Sequence, residues 1–312
     1  MLGKLKRCLP GLYDYYLHLK RKQKLKKISA IKKVPDDKYP EILGKLYEER
    51  IGHKLDWNNV QTYTEKMQWA KLYDKNPMKS QLADKYEVRK WVEEKIGADY
   101  LIPLLGVWER FDDIDFSGLP DRFVLKTNHG SGTNYIVRNK SQIKYKQVKR
   151  MFEDWLDTDY AFNTGFEMHY TDIKPLIIAE QYIEADHGQL QDYKFLCFDG
   201  APYYCWVDMD RYTNHTRNVY NLNWELQPWN QEHYGTYKEP IPCPEGFDKM
   251  IELAKVLCKG FSHVRVDFYN VNGKIYFGEM TFTNGSGLDR IIPESYDRML
   301  GDLWSLDANS SN

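Results

Sequence analysis

The run His263-Val264-Arg265-Val266-Asp267, with Glu279 twelve residues beyond Asp267 in Gly278-Glu279-Met280-Thr281, holds the side chains best suited to chemistry. Val264 to Tyr269 alternates apolar and polar residues as a strand does, Asn272-Gly273 is a hairpin signal, and Lys274-Ile275-Tyr276-Phe277 resumes the strand pattern. Two carboxylates on paired strands can meet at one point as pure oxygen donors, which suits Mg²⁺. Arg265 has the side-chain parity of Asp267 and therefore shares its face. A hard divalent cation beside a permanently charged guanidinium implies the handling of phosphate. An edge hairpin with solvated charges is the ordinary alternative.

A second chemical signal lies in Phe123-Val124-Leu125-Lys126-Thr127-Asn128-His129-Gly130-Ser131-Gly132-Thr133, a strand ending in lysine and a glycine-rich turn. Glycines let backbone N–H groups approach an anion, and Lys126 can neutralise phosphate charge. This is not a Walker loop, which requires Gly-Lys-Ser/Thr and a following helix. His129, inside the turn, is expected to be solvated, and His263 structural.

The elements that position these residues follow from periodicity. Helical patterns cover Tyr39–Gly52, Thr64–Asp74 and Gln81–Ile96, the last stopped by Gly97. Leu101–Trp108 and Asp121–Lys126 are strands, Tyr135–Val137 is extended, and Ser141–Leu156 is a helix with Val148, Met151, Phe152 and Trp155 on one face. Leu176–Ile183 and Asp192–Phe198 are strands separated by a polar turn at Glu184–Gly188. Asp199-Gly200 leads into a hairpin partner at Tyr203–Val207. Phe247–Lys259 and Tyr296–Leu306 are helices. Helices mixed with antiparallel strand pairs give an α+β (mixed α/β) fold class. The organisation is a basic helical arm (1–35), an N-terminal region (36–115), a small subdomain with the glycine loop (116–185), a C-terminal subdomain with the carboxylate hairpin (186–306) and a polar tail (307–312).

With 312 residues and 15% aromatic content the chain can bury a substantial core. No apolar stretch reaches the roughly 18–20 residues that span a bilayer. Five scattered cysteines without metal-ligand spacing suit reduced thiols in a cytoplasmic protein. Residues 1–33 hold eleven Lys/Arg against Asp14 alone, so the net charge of −1 leaves about −11 on the remainder. Leu5, Leu9, Leu12, Tyr16 and Leu19 recur at helical spacing in this arm. Such a helix suits peripheral contact with an anionic membrane at its inner face, or packing on its own domain with a solvated lysine face. The acidic remainder offers no continuing basic stripe, which argues against nucleic acid.

Taken in order, Lys126 with its glycine loop, Glu180-Gln181-Tyr182-Ile183, Asp192-Tyr193-Lys194, Arg265-Val266-Asp267 and Glu279 resemble the ATP-grasp superfamily. The closest resemblance is to the TupA-like ATP-grasp proteins of bacterial polysaccharide gene clusters, over roughly residues 40–305. It implies ATP held between two α+β subdomains, with Gly130, Ser131 and Gly132 as a flap over the phosphates. Lys85, in Ala83-Asp84-Lys85, and Lys126 match the two nucleotide lysines. Glu180 matches the acceptor for the adenine amino group, with the Gln181, Tyr182 and Ile183 backbone on the purine edge. Asp192, with Lys194 on its face, matches the ribose acid. Asp267 and Glu279 match the Mg²⁺ (or Mn²⁺) carboxylates, and Arg265 the arginine that offsets charge on the reacting acyl group. The family's asparagine ligand is here Thr281, with Thr283 and Asn284 as neighbouring substitutes.

The resemblance implies an ADP-forming ligase joining an amino acid or other amine to a carboxylate of a sugar or glycan in capsule or surface-polysaccharide synthesis. A sugar phosphotransferase and a nucleotide-binding assembly factor are the rival readings. The aromatic segment Tyr203–Trp229 offers rings on which a sugar could stack, and Arg211 and Arg217 could hold an acceptor anion, although strand packing explains most of these residues.

Overall fold

The computed structural model describes residues 10–184, 190–209 and 215–306. Arg211, most of the turn at 184–188, the tail from 307 and the arm side chains Leu5, Leu9, Leu12 and Tyr16 fall outside what it describes. Helix α1 (Pro10–Ile31) is followed by α2 (Tyr39–Ile51), α3 (Tyr63–Tyr73), α4 (Met78–Ala83) and α5 (Val88–Ile96). A four-stranded antiparallel sheet comes next, in the order β1 (Leu104–Trp108), β4 (Ile177–Gln181), β2 (Phe123–Thr127), β3 (Asn134–Val137). Helices α6 (Tyr145–Leu156) and α7 (Tyr160–Asn163) lie between β3 and β4. The second sheet is also antiparallel and contains β5 (Gln191–Phe198), β6 (Ala201–Met209), β7 (Thr216–Asn221), β9 (His263–Val271) and β10 (Lys274–Thr281), ordered β10-β9-β5-β6-β7. A two-stranded pair, β8 (Asn230–Gln231) with β11 (Ile291–Ile292), and helices α8 (Phe247–Leu257) and α9 (Ser295–Asp302) complete it.

Alternation decides what each sheet presents. In β2, Phe123, Leu125 and Thr127 are buried, the first two against Val148 and Phe152 of α6, while Val124 and Lys126 face the other way. In the large sheet, Tyr193, Phe195, Val264, Val266 and Phe268 pack toward α8. The opposite face divides along its length. Leu196, Phe198 and Trp206 pack with residues of α3 and α9, and Asp192, Lys194, Asp208, Arg265 and Asp267 fill the remainder. Helix α3 starts on a capping box, in which Thr62 accepts from the Glu65 amide at 3.3 Å and Glu65 accepts from the Thr62 amide at 2.9 Å.

Several elements differ from the periodicity. The helix expected over Gln81–Ile96 is two helices, interrupted at 84–87. The strand expected from Leu101 begins at Leu104, and a short 3₁₀ turn over Lys140–Gln142 takes the start of the helix expected from Ser141, which begins at Tyr145. β7 was not expected, and its polar sequence Thr-Arg-Asn-Val-Tyr-Asn conceals a buried strand. Among the described residues no helix is long and apolar enough to cross a membrane.

His263 behaves as a structural residue. Its ring stacks on Phe198 at 4.9 Å, its Nδ1 is 2.9 Å from the Cys197 carbonyl oxygen and its Nε2 is 3.3 Å from the Tyr63 hydroxyl. Burial lowers its pKa to about 3. The unfolded chain binds a proton here near pH 6.5 that the native ring refuses until about pH 3, so stability falls as pH drops through that window. Between pH 7 and pH 5 this one group removes about 2 kcal/mol. Urea unfolding of His263→Gln at the two pH values should show that much less acid-induced loss than the wild type. Equal losses would refute the assignment.

Candidate functional site

The interruption at Asp84 aims a lysine into the space between the two sheets. Asp84 Oδ1 accepts from the Tyr86 amide at 2.7 Å and the Glu87 amide at 3.2 Å, and its Oδ2 accepts from Asn128 Nδ2 at 2.8 Å. An aspartate that satisfies backbone donors ahead of it competes with helix propagation. Asn128 also receives the Leu176 amide at 2.7 Å, and its carbonyl receives the Lys85 amide at 2.9 Å, so the break is tied to the glycine loop. Lys85 Nζ then donates to the Gly130 carbonyl at 2.6 Å and lies 3.6 Å from Glu279 Oε2.

The loop itself requires glycine. Gly130 has φ +77°, and a Cβ there would lie 2.4 Å from the Tyr160 ring. Gly132 has φ +73° with open space around it. His129 is buried, contrary to the solvated position expected, and burial lowers its pKa.

On the small sheet, Val124 pairs with Glu180, and Lys126 lies on the same face. Lys126 Nζ is 2.6 Å from Glu180 Oε2, while Arg89 Nη1 donates to Glu180 Oε1 at 3.2 Å. Arg89 also donates to the Ile102 carbonyl at 2.6 Å. No sequence signal marks Arg89, because its partners lie 13 and 91 residues away.

On the large sheet the hairpin is as expected, with one addition. Phe277 opposes Phe268 and Glu279 opposes Asp267, so Gly278 is an extra residue that turns Glu279 onto the face of Asp267. Arg265 Nε donates to Asp267 Oδ1 at 2.7 Å, and its Nη2 donates to Asp267 Oδ2 at 2.6 Å and Glu279 Oε1 at 2.8 Å. Lys194 Nζ donates to Asp192 Oδ2 at 2.5 Å and Asp267 Oδ2 at 2.8 Å. Burial would lower the Lys194 pKa, but Asp192 and Asp267 outweigh it and hold the ammonium above its ordinary value. Burial would likewise raise the Glu279 pKa, yet Lys85, Arg265 and Lys194 hold its carboxyl far below the usual range.

Thr281 donates to Glu279 Oε1 at 3.1 Å. Asn284 Oδ1 accepts from Arg265 Nη1 at 2.9 Å, which commits it to the guanidinium. Arg217 is not placed to hold an acceptor anion. Its guanidinium is buried, bonds Asp208 through Nε and Nη2 and also bonds Gln231. The aromatic segment is largely core as well: Trp206, Tyr220 and Trp229 are buried, and Trp224 stacks on Tyr220 at 4.2 Å.

Two cavities meet at Ser131 and Glu279. The first, about 420 Å³, runs between the sheets. Val124, Ile136 and Met209 give it an apolar part, the 180–184 segment lines it, and Lys85, Lys126, Asp192, Lys194, Asp267 and Glu279 make its charged part. Of the nucleotide, metal and catalytic residues expected from the sequence, all except Gly130, Arg265 and Thr281 line this space. The exceptions line the second cavity, about 770 Å³, which extends from Arg265 and Thr281 past Tyr160, Glu167 and Ser286 to α1 and α2. Glu167 and its buried neighbour Lys71 were missed, since no local motif marks either.

Asp267 and Glu279 are hard oxygen donors facing each other across the hairpin. Among the described residues no three His, Cys, Asp or Glu groups converge as a metal cage. Mg²⁺ commonly takes one or two carboxylates and completes its shell with substrate phosphates and water. The donor set fits that use.

Two antiparallel sheets with a glycine loop on one, a carboxylate hairpin on the other and a charged cleft between them form an ATP-grasp fold. The chain belongs to the TupA-like ATP-grasp family, whose profile matches residues 65–305. Among solved structures, D-alanine–D-alanine ligase from Bacillus anthracis is similar at 18% identity with TM-score 0.42, over 72% of this chain and 66% of that one. The same ligase complexed with ATP gives 19% identity and TM-score 0.37, over 65% and 54%. L-amino acid ligase from Bacillus licheniformis gives 13% identity and TM-score 0.43, over 81% and 57%. The chain thus spans about half to two thirds of the length of these structures. No curated protein sequence matches it.

Lys194→Met leaves Asp192 and Asp267 facing one another in a buried site without their shared cation. Urea unfolding at pH 7 should show a loss of about 3–5 kcal/mol. Adding Asp192→Asn should restore part of it. A single-variant loss below about 1 kcal/mol would mean that Lys194 is not what neutralises the pair.

Proposed function

We propose that the chain is an ADP-forming carboxylate–amine ligase that works through an acyl phosphate. The favoured substrates are a uronic acid or similar sugar carboxylate and an amino acid or other amine, in the synthesis of capsule or another surface polysaccharide. The observation that carries this reading is the position of Arg265. It is a buried cation that lines the second cavity and bonds Glu279, where the two cavities meet, and it is held on three sides by Asp267, Glu279 and Asn284.

ATP would lie in the first cavity with its purine against Val124, Ile136 and Met209. Glu180 has acceptor capacity beyond its two cationic partners, enough for the adenine amino group. The Gln181–Ile183 backbone would read the purine edge, and Asp192 the ribose. Lys85, Lys126 and the amides around Gly130–Gly132 would hold the phosphates. Asp267 and Glu279, with Thr281 alongside, would hold Mg²⁺ or Mn²⁺, which supplies further charge neutralisation on the phosphates.

An acceptor carboxylate entering by the second cavity would have its oxygen attack the γ-phosphorus, forming an O–P bond as ADP leaves. The amine would then attack the acyl carbon, lose a proton, and expel inorganic phosphate as the amide forms. Arg265 would offset the charge that grows on the acyl oxygen as that carbon becomes tetrahedral. Neither step calls for an enzyme nucleophile.

The test is ADP release with ATP and Mg²⁺ over a panel of sugar carboxylates, with hydroxylamine as a generic amine. Carboxylate-dependent ADP together with a hydroxamate is the expected result. Arg265→Ala should lower hydroxamate formation by about 10²–10³-fold. ADP with a phosphorylated sugar and no hydroxamate, or full activity in Arg265→Ala, would replace ligation by simple phosphotransfer.

A further inference from the structure

Helix α1 precedes the family-matched region, yet it forms a wall of the second cavity. The residues it contributes are Lys24, Lys27, Ile28 and Ile31. Their spacing of three, four and seven residues is that of a single helical face. The helix is fastened on both sides of these residues. Arg21 pairs with Asp154 at 2.6 Å and with Asp157 at 2.5 Å, and Lys32 pairs with Asp159 at 2.6 Å. Ile28 is buried among Tyr39, Leu43 and Phe162. Lys24 and Lys27 are therefore presented to the cavity by a helix that cannot swing away without breaking those contacts.

Several other charges of this cavity are matched. Lys45 pairs with Glu41 at 2.7 Å, Glu167 faces Lys71, and Arg265 is held by Asp267 and Glu279. Lys27 has no ion pair among the described residues, and Lys24 has only the more distant field of Asp154.

We infer that Lys24 and Lys27 bind a second anionic group of the acceptor, a phosphate or carboxylate remote from the carboxylate that reacts beside Arg265. The acceptor is on this view a doubly anionic molecule that spans the cavity from Arg265 to α1. The inference rests on the ligase reading for its inner end only. It gives the basic arm a role in substrate selection and separates two lysine sets on one helix. Lys24 and Lys27 line the cavity, while Lys22 and Lys26, equally exposed to solvent, lie about half a turn around the helix and do not.

The test is calorimetric titration of the full chain, saturated with Mg²⁺ and a non-hydrolysable ATP analogue. Inorganic pyrophosphate is the first probe, followed by glucuronic acid, glucuronic acid 1-phosphate and a glucuronate trisaccharide. Pyrophosphate should bind, and Lys24→Ala/Lys27→Ala should weaken it at least tenfold without changing affinity for the nucleotide analogue. Lys22→Ala/Lys26→Ala should leave it unchanged. Tighter binding of the 1-phosphate than of glucuronic acid would identify a distal phosphate, and tighter binding of the trisaccharide a distal carboxylate. The proposal falls if pyrophosphate does not bind, if both double variants weaken it equally, or if neither sugar derivative binds more tightly than glucuronic acid. A wild-type chain that makes no hydroxamate yet binds pyrophosphate through Lys24 and Lys27 would fail the ligase reading and leave this one standing.

Discussion

Four carboxylates and three cations share one buried end of the large sheet, and the rest of the arrangement depends on their neutralising one another. A charge in such a place costs several kcal/mol unless it is paired and hydrogen-bonded. The pairing is met by strands adjacent in space: Lys194 reaches Asp192 on its own strand and Asp267 on the next, while Arg265 bridges Asp267 and Glu279. Asp208 is tied to Arg217 and lies 3.8 Å from Lys194. The sheet order β10-β9-β5-β6-β7 is thus also an order of alternating charge, and any other register would separate the partners.

That chain of pairs carries the hairpin into contact with the rest of the cleft. Lys85 comes from an interrupted helix and meets both the glycine loop and Glu279. Glu180 gathers Lys126 from its neighbouring strand and Arg89 from α5. One cleft is therefore assembled from five separated stretches of chain. Its two ends differ in kind, one apolar beneath Val124 and Ile136 and the other ionic around Lys194.

The hairpin was the most legible part of the sequence because its information is local. Asn272 and Gly273 have φ of +52° and +84°, the backbone that a tight two-residue connection between twisted strands requires. Alternation on either side then places Arg265 with Asp267. The glycine loop was legible for the same reason, and the ordered motifs identified the fold. What escaped notice depends on distant partners. Nothing between 81 and 96 shows that Asp84 will take a hydrogen bond from Asn128, 44 residues on, and end the helix there. Arg217 looked available for an anion because its partner Asp208 belongs to another strand. The arm's charge was plain, but its closure of a cavity depends on Asp154, Asp157 and Asp159, far along the chain.

The bond from Lys85 to the Gly130 carbonyl has a consequence for binding. Under the proposed reading the same ammonium that secures the loop also meets phosphate, so a phosphate that draws on it would compete with the loop's own anchor. Loop release and anion capture are then two faces of one equilibrium. Whatever loosens the loop frees the lysine, and whatever takes the lysine loosens the loop, by the same free energy in each direction.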